Sequence, residues 1–151
     1  MEKVYTNDGI VIAKVMRDHL NTWSKKPVDV MLEDLGKRVP SMMVQQLSAS
    51  EKKRSYVNGS YIGVWNFALY IRVNGVDTAS RVDAIACLSD FAAWLTEQDE
   101  NGDFVNLPRI DDKRIATSIE LLANPSLAAR YENGYEDYQA LLSLEYKVRR
   151  N

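Results

Sequence analysis

Across residues 138–148 apolar and polar positions alternate, with Tyr138, Ala140, Leu142, Leu144, Tyr146 and Val148 on one face and Gln139, Ser143, Glu145 and Lys147 on the other, which predicts a β-strand. A longer strand is predicted over residues 61–73. There Tyr61, Gly63, Trp65, Phe67, Leu69, Ile71 and Val73 line one face, while Ile62, Val64, Ala68 and Tyr70 make the other face apolar as well. Such a strand is expected at the centre of a sheet and covered on both sides. Residues 114–122 alternate Ile115, Thr117, Ile119 and Leu121 with Ala116, Ser118 and Glu120, and residues 42–47 and 28–32 read as shorter strands. Two segments carry the spacing of three and four residues that marks a helix. Residues 8–23 place Ile12, Val15, Met16, His19, Leu20 and Trp23 on one side, with Asn7 or Asp8 as cap and Pro27 beyond the end. The second helix begins near Asp77, Thr78 or Ser80 and repeats Ile85, Leu88, Ala92 and Leu95, with Phe91 and Trp94 beside them.

The connections carry their own signals. Residues 36–40 break the first short strand, and a charged connection through Glu51, Lys52, Lys53 and Arg54 leads to Asn58-Gly59, a pair that accepts the positive φ of a tight hairpin. Residues 97–112 are acidic and interrupted by Gly102 and Pro108, as in a surface loop with at most a short extended piece over 105–107. Residues 124–137 read as a long polar loop carrying Arg130, Tyr131, Glu132, Tyr135, Glu136 and Asp137. Loops of roughly 12 or more residues are uncommon in compact domains unless they have a task, and tyrosines among charges suit contact with another protein. The expected fold is α+β: a single domain over 1–151, with an antiparallel or mixed sheet of four to five strands. The Ile85 helix packs on one face and the Asp8 helix on the same or the opposite face.

Composition narrows the chemistry. No apolar run reaches the roughly 18 to 20 residues of a bilayer-spanning helix, and the N-terminus lacks the basic and apolar regions of a secretion signal, so folding in a cytoplasm is expected. A net charge of −2 gives no general basic excess for gripping phosphates, leaving only local patches such as Lys52-Lys53-Arg54. One cysteine, Cys87, and one histidine, His19, cannot form an internal disulfide or a four-ligand zinc site. Asp99, Asn101 and Asp103 alternate as calcium-loop ligands do, but Gly102 comes too early and Ile110 stands where the bidentate glutamate belongs. Asp111-Asp112 has no histidine nearby in sequence, and Asn58-Gly59-Ser60 and Asn133-Gly134 read as turns rather than phosphate loops. Tyr61, Trp65 and Phe67 could stack bases, but the apolar character of both strand faces favours a core. No enzyme, cofactor or metal is expected.

Three segments carry a resemblance. The first is Pro40-Ser41-Met42-Met43-Val44-Gln45-Gln46-Leu47 continuing into Tyr56-Val57-Asn58-Gly59-Ser60-Tyr61-Ile62-Gly63-Val64-Trp65-Asn66-Phe67-Ala68-Leu69-Tyr70-Ile71-Arg72-Val73, the second Asp77-Thr78-Ala79-Ser80-Arg81-Val82-Asp83-Ala84, and the third residues 124–147. In this order they resemble the minor capsid proteins of the neck region of tailed phages, and look like the tail terminator class; the likeness covers most of the chain from residue 40 onward. It implies a non-enzymatic virion protein at the head–tail junction, a homo-oligomeric ring, usually hexameric in that class, that caps the tail tube and joins it to the head. The implied partners are copies of itself, the major tail tube protein and the head-completion or connector protein. Genome DNA would pass through the ring without sequence-specific binding, and no membrane is involved. A head-completion (stopper) protein, a tail-tube subunit and, from a different class, a small enzyme are the alternatives. The residues expected at protein interfaces are Lys52, Lys53 and Arg54 in one hairpin and Arg130, Tyr131, Glu132 and Tyr135 in the other.

Overall fold

The structure is a computed structural model that describes residues 3–76, 78–100 and 109–149. Its elements are α1 (Gly9–Leu20), β1 (Val30–Leu32), β2 (Ser41–Gln46), β3 (Glu51–Ser55), β4 (Tyr61–Asn74), α2 (Thr78–Glu100), β5 (Arg114–Arg130) and β6 (Tyr135–Val148). The six strands form one mixed sheet in the order β1-β2-β4-β6-β5, with β3 also on β4. Along one edge of β4, β2 pairs with residues 67–72 and β3 with 61–64, while β6 pairs with the whole of the other edge. Only β1 and β2 run parallel. The expected α+β fold and the central place of residues 61–73 are thus present. The additional strand is β3, read from sequence as a charged connection. It lies on the sheet edge, where charged side chains reach water and blunt further strand pairing.

Both helices pack on the same face of the sheet. Ile12, Ala13, Met16 and Leu20 from α1 and Ala84, Leu88, Phe91, Ala92 and Leu95 from α2 join one core with Trp65, Phe67, Leu69, Ile71, Leu142, Leu144 and Tyr146. Trp65 and Phe67 are fully buried and stacked with ring centres 4.7 Å apart, so they are core residues and not a base platform. Ile85 is turned outward and 40% exposed; the buried stripe of α2 runs through Ala84, Leu88, Phe91, Ala92 and Leu95. Among the described residues no helix covers the other face of β4, contrary to the expectation of cover on both sides. Its Ile62, Val64 and Tyr70 are half-buried by lateral neighbours, Tyr70 opposite Met43 and Gln139 across the two adjoining strands.

α1 ends three residues before Trp23. Asn21, its C-cap, uses its amide to accept from Val30 N at 2.8 Å and donate to Val30 O at 3.0 Å, which turns the chain into β1. Trp23 still reaches the core and packs on Phe91 at 4.2 Å. α2 continues to Glu100, so residues 97–100, expected in a loop, are helical. The expected extended piece over 105–107, together with Asp77, Asn101 and Asp103 of the cap and calcium-loop readings, lies outside the described residues.

The largest correction concerns residues 124–137. They are not a long loop: β5 runs to Arg130, β6 starts at Tyr135, and four residues turn the chain, with Gly134 at φ +90°. Asn124 and Pro125 fall between the paired residues Ala123 and Ser126, at one of four register shifts in β5. A proline donates no ladder hydrogen bond, so it fits where an edge strand bulges. The same Asn-Pro pair is what makes this segment look like a loop from sequence.

Candidate functional site

The two groups of expected interface residues lie at opposite ends of β4. Lys52 faces Gly63 and Arg54 faces Ile62 near its start, whereas Tyr135 pairs with Asn74 at its end. From Gly63 or Ile62 to Asn74 is eleven or twelve residues of strand, which at about 3.3 Å each separates the two by roughly 40 Å. The basic hairpin is tied to the sheet by Lys52 Nζ, 4.5 Å above the Tyr61 ring, and by Lys53 Nζ, 2.9 Å from Glu145 Oε2. Arg54 is exposed.

At the other end, Tyr131 folds back onto its own sheet. Its hydroxyl donates to Asp137 Oδ2 at 2.7 Å, and the Arg72 guanidinium lies 4.9 Å from the ring centre. Arg72 holds Asp137 with two parallel bonds of 2.7 and 2.9 Å, the bidentate geometry that suits a planar guanidinium. The bond to Asp137, with burial beside it, raises the Tyr131 phenol above its ordinary value, and the ring remains 44% exposed. Arg130 does not pair with Glu132. It donates to Glu136 Oε2 at 2.8 Å, on the helix side of the sheet, where Arg81 Nε stands 2.9 Å from Glu136 Oε1 and Tyr138 donates to the same oxygen at 3.0 Å. Burial would raise the Glu136 carboxyl, but Tyr138, Arg130 and Arg81 outweigh it and hold the group below its usual range. Glu132 is exposed in the turn and Tyr135 is half-buried.

A cluster that the sequence did not disclose joins the N-terminus to the sheet. Asp8, buried at the start of α1, makes no capping bond to the helix. Its Oδ2 accepts from Tyr61 at 2.6 Å and Tyr146 at 2.8 Å, and its Oδ1 accepts from Arg114 at 2.7 Å; Arg114 also binds Asp111. Burial alone would raise the Asp8 carboxyl, but these bonds hold it below its ordinary value. Burial and the Asp8 charge raise the Tyr61 phenol, and burial pushes Tyr146 up to about 12. The signal in the sequence was Gly63: it lies opposite Tyr146, where a Cβ would collide with the phenol ring. A glycine inside a strand often marks such a close approach. The whole arrangement is a satisfied ionic tie between chain segments that are far apart in sequence.

Two clefts flank the sheet near the Tyr131 end. One, about 720 Å3, lies on the open face over Tyr70, Arg72, Asp137 and Tyr131. The other, about 540 Å3, lies on the helix side between α2, the segment after α1 and the end of β4. Cys87 is in its wall, with its thiol pushed up to about 11 by burial and by Asp90. His19 stacks on Trp94 with ring centres 5.2 Å apart. Among the described residues no group of three or more His, Cys, Asp or Glu could hold a metal ion, and no helix is long and apolar enough to cross a membrane. Compared with protein-family models and with curated proteins, the sequence matches neither a family model nor a curated protein.

Proposed function

We propose that this chain is a structural virion protein of a tailed phage, a tail terminator. Copies of it, six in the class it resembles, form a ring that caps the tail tube at its head-proximal end and offers the surface to which the filled head joins. The observation that carries this reading is the likeness of the three segments between residues 40 and 147 to that family. The architecture supports it. A ring subunit needs two different contact regions, one for each neighbour, and this fold holds a basic hairpin and a tyrosine-bearing hairpin roughly 40 Å apart on one rigid strand. A terminator acts by shape: it matches the tube on one side and denies further tube subunits a copy of that surface on the other. Its partners are then its own copies, the tail tube protein and the connector, with DNA passing through the ring at the head–tail junction.

Electron microscopy of a phage lacking the gene tests this. The expected result is intact filled heads beside tails of uncontrolled length. Leaking or empty heads with tails of normal length would move the protein to the stopper position.

A further inference from the structure

The β3–β4 hairpin ends in Val57, which is fully exposed, with Tyr56 beside it 42% exposed. The tip is stiff. Tyr56 N donates to Ser60 O at 2.8 Å, Gly59 N to Tyr56 O at 3.0 Å, Ser60 N to Asn58 Oδ1 at 3.0 Å, and Gly59 takes φ +88°. A fully exposed valine on a pre-ordered turn is poised for burial, because little conformational freedom remains to be lost on docking. Lys52, Lys53 and Arg54 run along the strand that leads to it.

The helix-side cleft at the far end of the sheet has complementary features. Trp23, Ile71, Val73 and Ala84 give it an apolar lining, and Asp83 and Asp90 stand with Lys25 among its polar residues. Its volume of about 540 Å3 lies within the range of pockets that enclose a compact ligand. Two carboxylates against one ammonium suit an incoming group with an apolar tip and a cationic stem. The hairpin cannot enter its own cleft. Its tip extends beyond the start of β4, while Ile71, Val73 and Asn74 of the cleft lie at the end of that strand.

We infer that the Tyr56-Val57 tip of one copy docks into the helix-side cleft of a second copy, with the exposed Arg54 of the stem facing Asp83 and Asp90. The inference deepens the ring reading and rests on it for closure. The contact uses different surfaces on the two copies, so it repeats from copy to copy and forms a ring when the rotation between neighbours closes.

Ala86, exposed on the cleft wall, provides the test, because the neighbouring Cys87 thiol is pushed up to about 11 by burial and reacts slowly. The protein with Val57→Cys, Ala86→Cys and Cys87→Ala, held at about 1 mM to populate even a contact of millimolar affinity and treated with a short bismaleimide, should give dimers and higher multimers. Peptide mass spectrometry should find residue 57 of one copy linked to residue 86 of another. The links should vanish when Ala86 is restored, and moving the tip cysteine to Asn133→Cys at the other hairpin should give none to residue 86. Absence of 57–86 links, or links between residues 57 alone, overturns the contact. Val57→Asp and the double variant Asp83→Lys with Asp90→Lys alter only exposed positions, and each should weaken association at least tenfold by sedimentation; wild-type association in both also overturns it. The outcomes separate the two readings. Uncontrolled tails in the deletion phage without 57–86 links remove this contact alone, whereas 57–86 links beside normal deletion tails keep the contact and remove the terminator role.

Discussion

Removing the Asp8 carboxylate should be among the most damaging single changes outside the apolar core. In an Asp8→Ala protein the Tyr61 and Tyr146 hydroxyls and the Arg114 guanidinium, now bonded to Asp8 over 2.6 to 2.8 Å, lose a common acceptor. Breaking a buried charge pair by deleting one partner costs about 3 to 5 kcal/mol. The lower end applies here, because Arg114 keeps Asp111 and Thr6 Oγ1 stands 3.4 Å from the Tyr146 hydroxyl. For a domain of this size each kcal/mol moves the midpoint by about 2 to 4 °C, so a loss of about 3 kcal/mol lowers Tm by roughly 10 °C at pH 7. Asp8→Asn keeps the shape and should lose about half as much, since a neutral oxygen can still accept while the charge-assisted part of each bond is gone.

The same cluster fixes the pH dependence. The folded Asp8 carboxyl lies below its ordinary value. Its contribution is therefore present above the unfolded pKa of about 3.9 and is lost as pH falls through the folded value. The gap in Tm between wild type and Asp8→Ala should be full at pH 7 and close in acid. On the alkaline side the Tyr146 phenol is pushed up to about 12, so its contribution is whole below about pH 10 and is lost as pH rises through 12. Calorimetry or circular dichroism melts from pH 2 to about 12 measure both limbs. A Tm for Asp8→Ala within 2 °C of wild type at pH 7, or a gap equally wide at both ends of the acid limb, would refute the tie.

Two further outcomes follow from the geometry. Gly63→Ala places a Cβ against the Tyr146 ring and should cost about 1 to 3 kcal/mol; combined with Asp8→Ala its loss should be less than additive, since both changes damage one network, and a fully additive pair counts against the coupling. Tyr131→Ala with Tyr135→Ala removes the hydroxyl bond to Asp137 and the ring under Arg72, which should lower stability by about 1 to 2 kcal/mol and also reduce head joining per folded molecule, measured by complementation of the deletion phage; normal joining would make Tyr131 a staple and nothing more.

Periodicity disclosed most of the fold because the core is built on one sheet face. Every second residue is buried from Gly63 to Val73 in β4 and from Glu136 to Val148 in β6, and the i, i+3, i+4 pattern of α1 points to the same core. It failed where side-chain chemistry and strand position disagreed. Glu51–Ser55 has no apolar alternation to detect, because an edge strand with wet side chains needs none. Asn124-Pro125 carries a strong turn signal, and the strand absorbs it as a bulge. Of the candidate site, the identity of the exposed hairpin residues was legible, but their partners were not. Arg72, Asp137 and Tyr131 meet only because β4 and β6 are in register over their full length, and that register depends on contacts far apart in sequence.

The open sheet face sets a condition on any assembly that covers it. An unpaired charge buried by a neighbour costs far more than its contacts return, whereas a charge that already holds its partner can be covered more cheaply. On this face Arg72 and Asp137 are joined bidentately and Tyr131 completes the set, so a covering chain meets neutralised polar groups beside Met43 and Tyr70. The free strand edge carries the opposite instruction. Among the described residues β5 pairs with β6 and otherwise only through a bridge between Arg109 and Ile115, and its four register shifts and Pro125 leave no regular ladder there for a copy to extend. Growth by strand addition would give an open-ended fibre, and that edge opposes it. For the proposed ring, association through faces and hairpin tips is then the favoured route, because contacts of that kind let a fixed number of copies close.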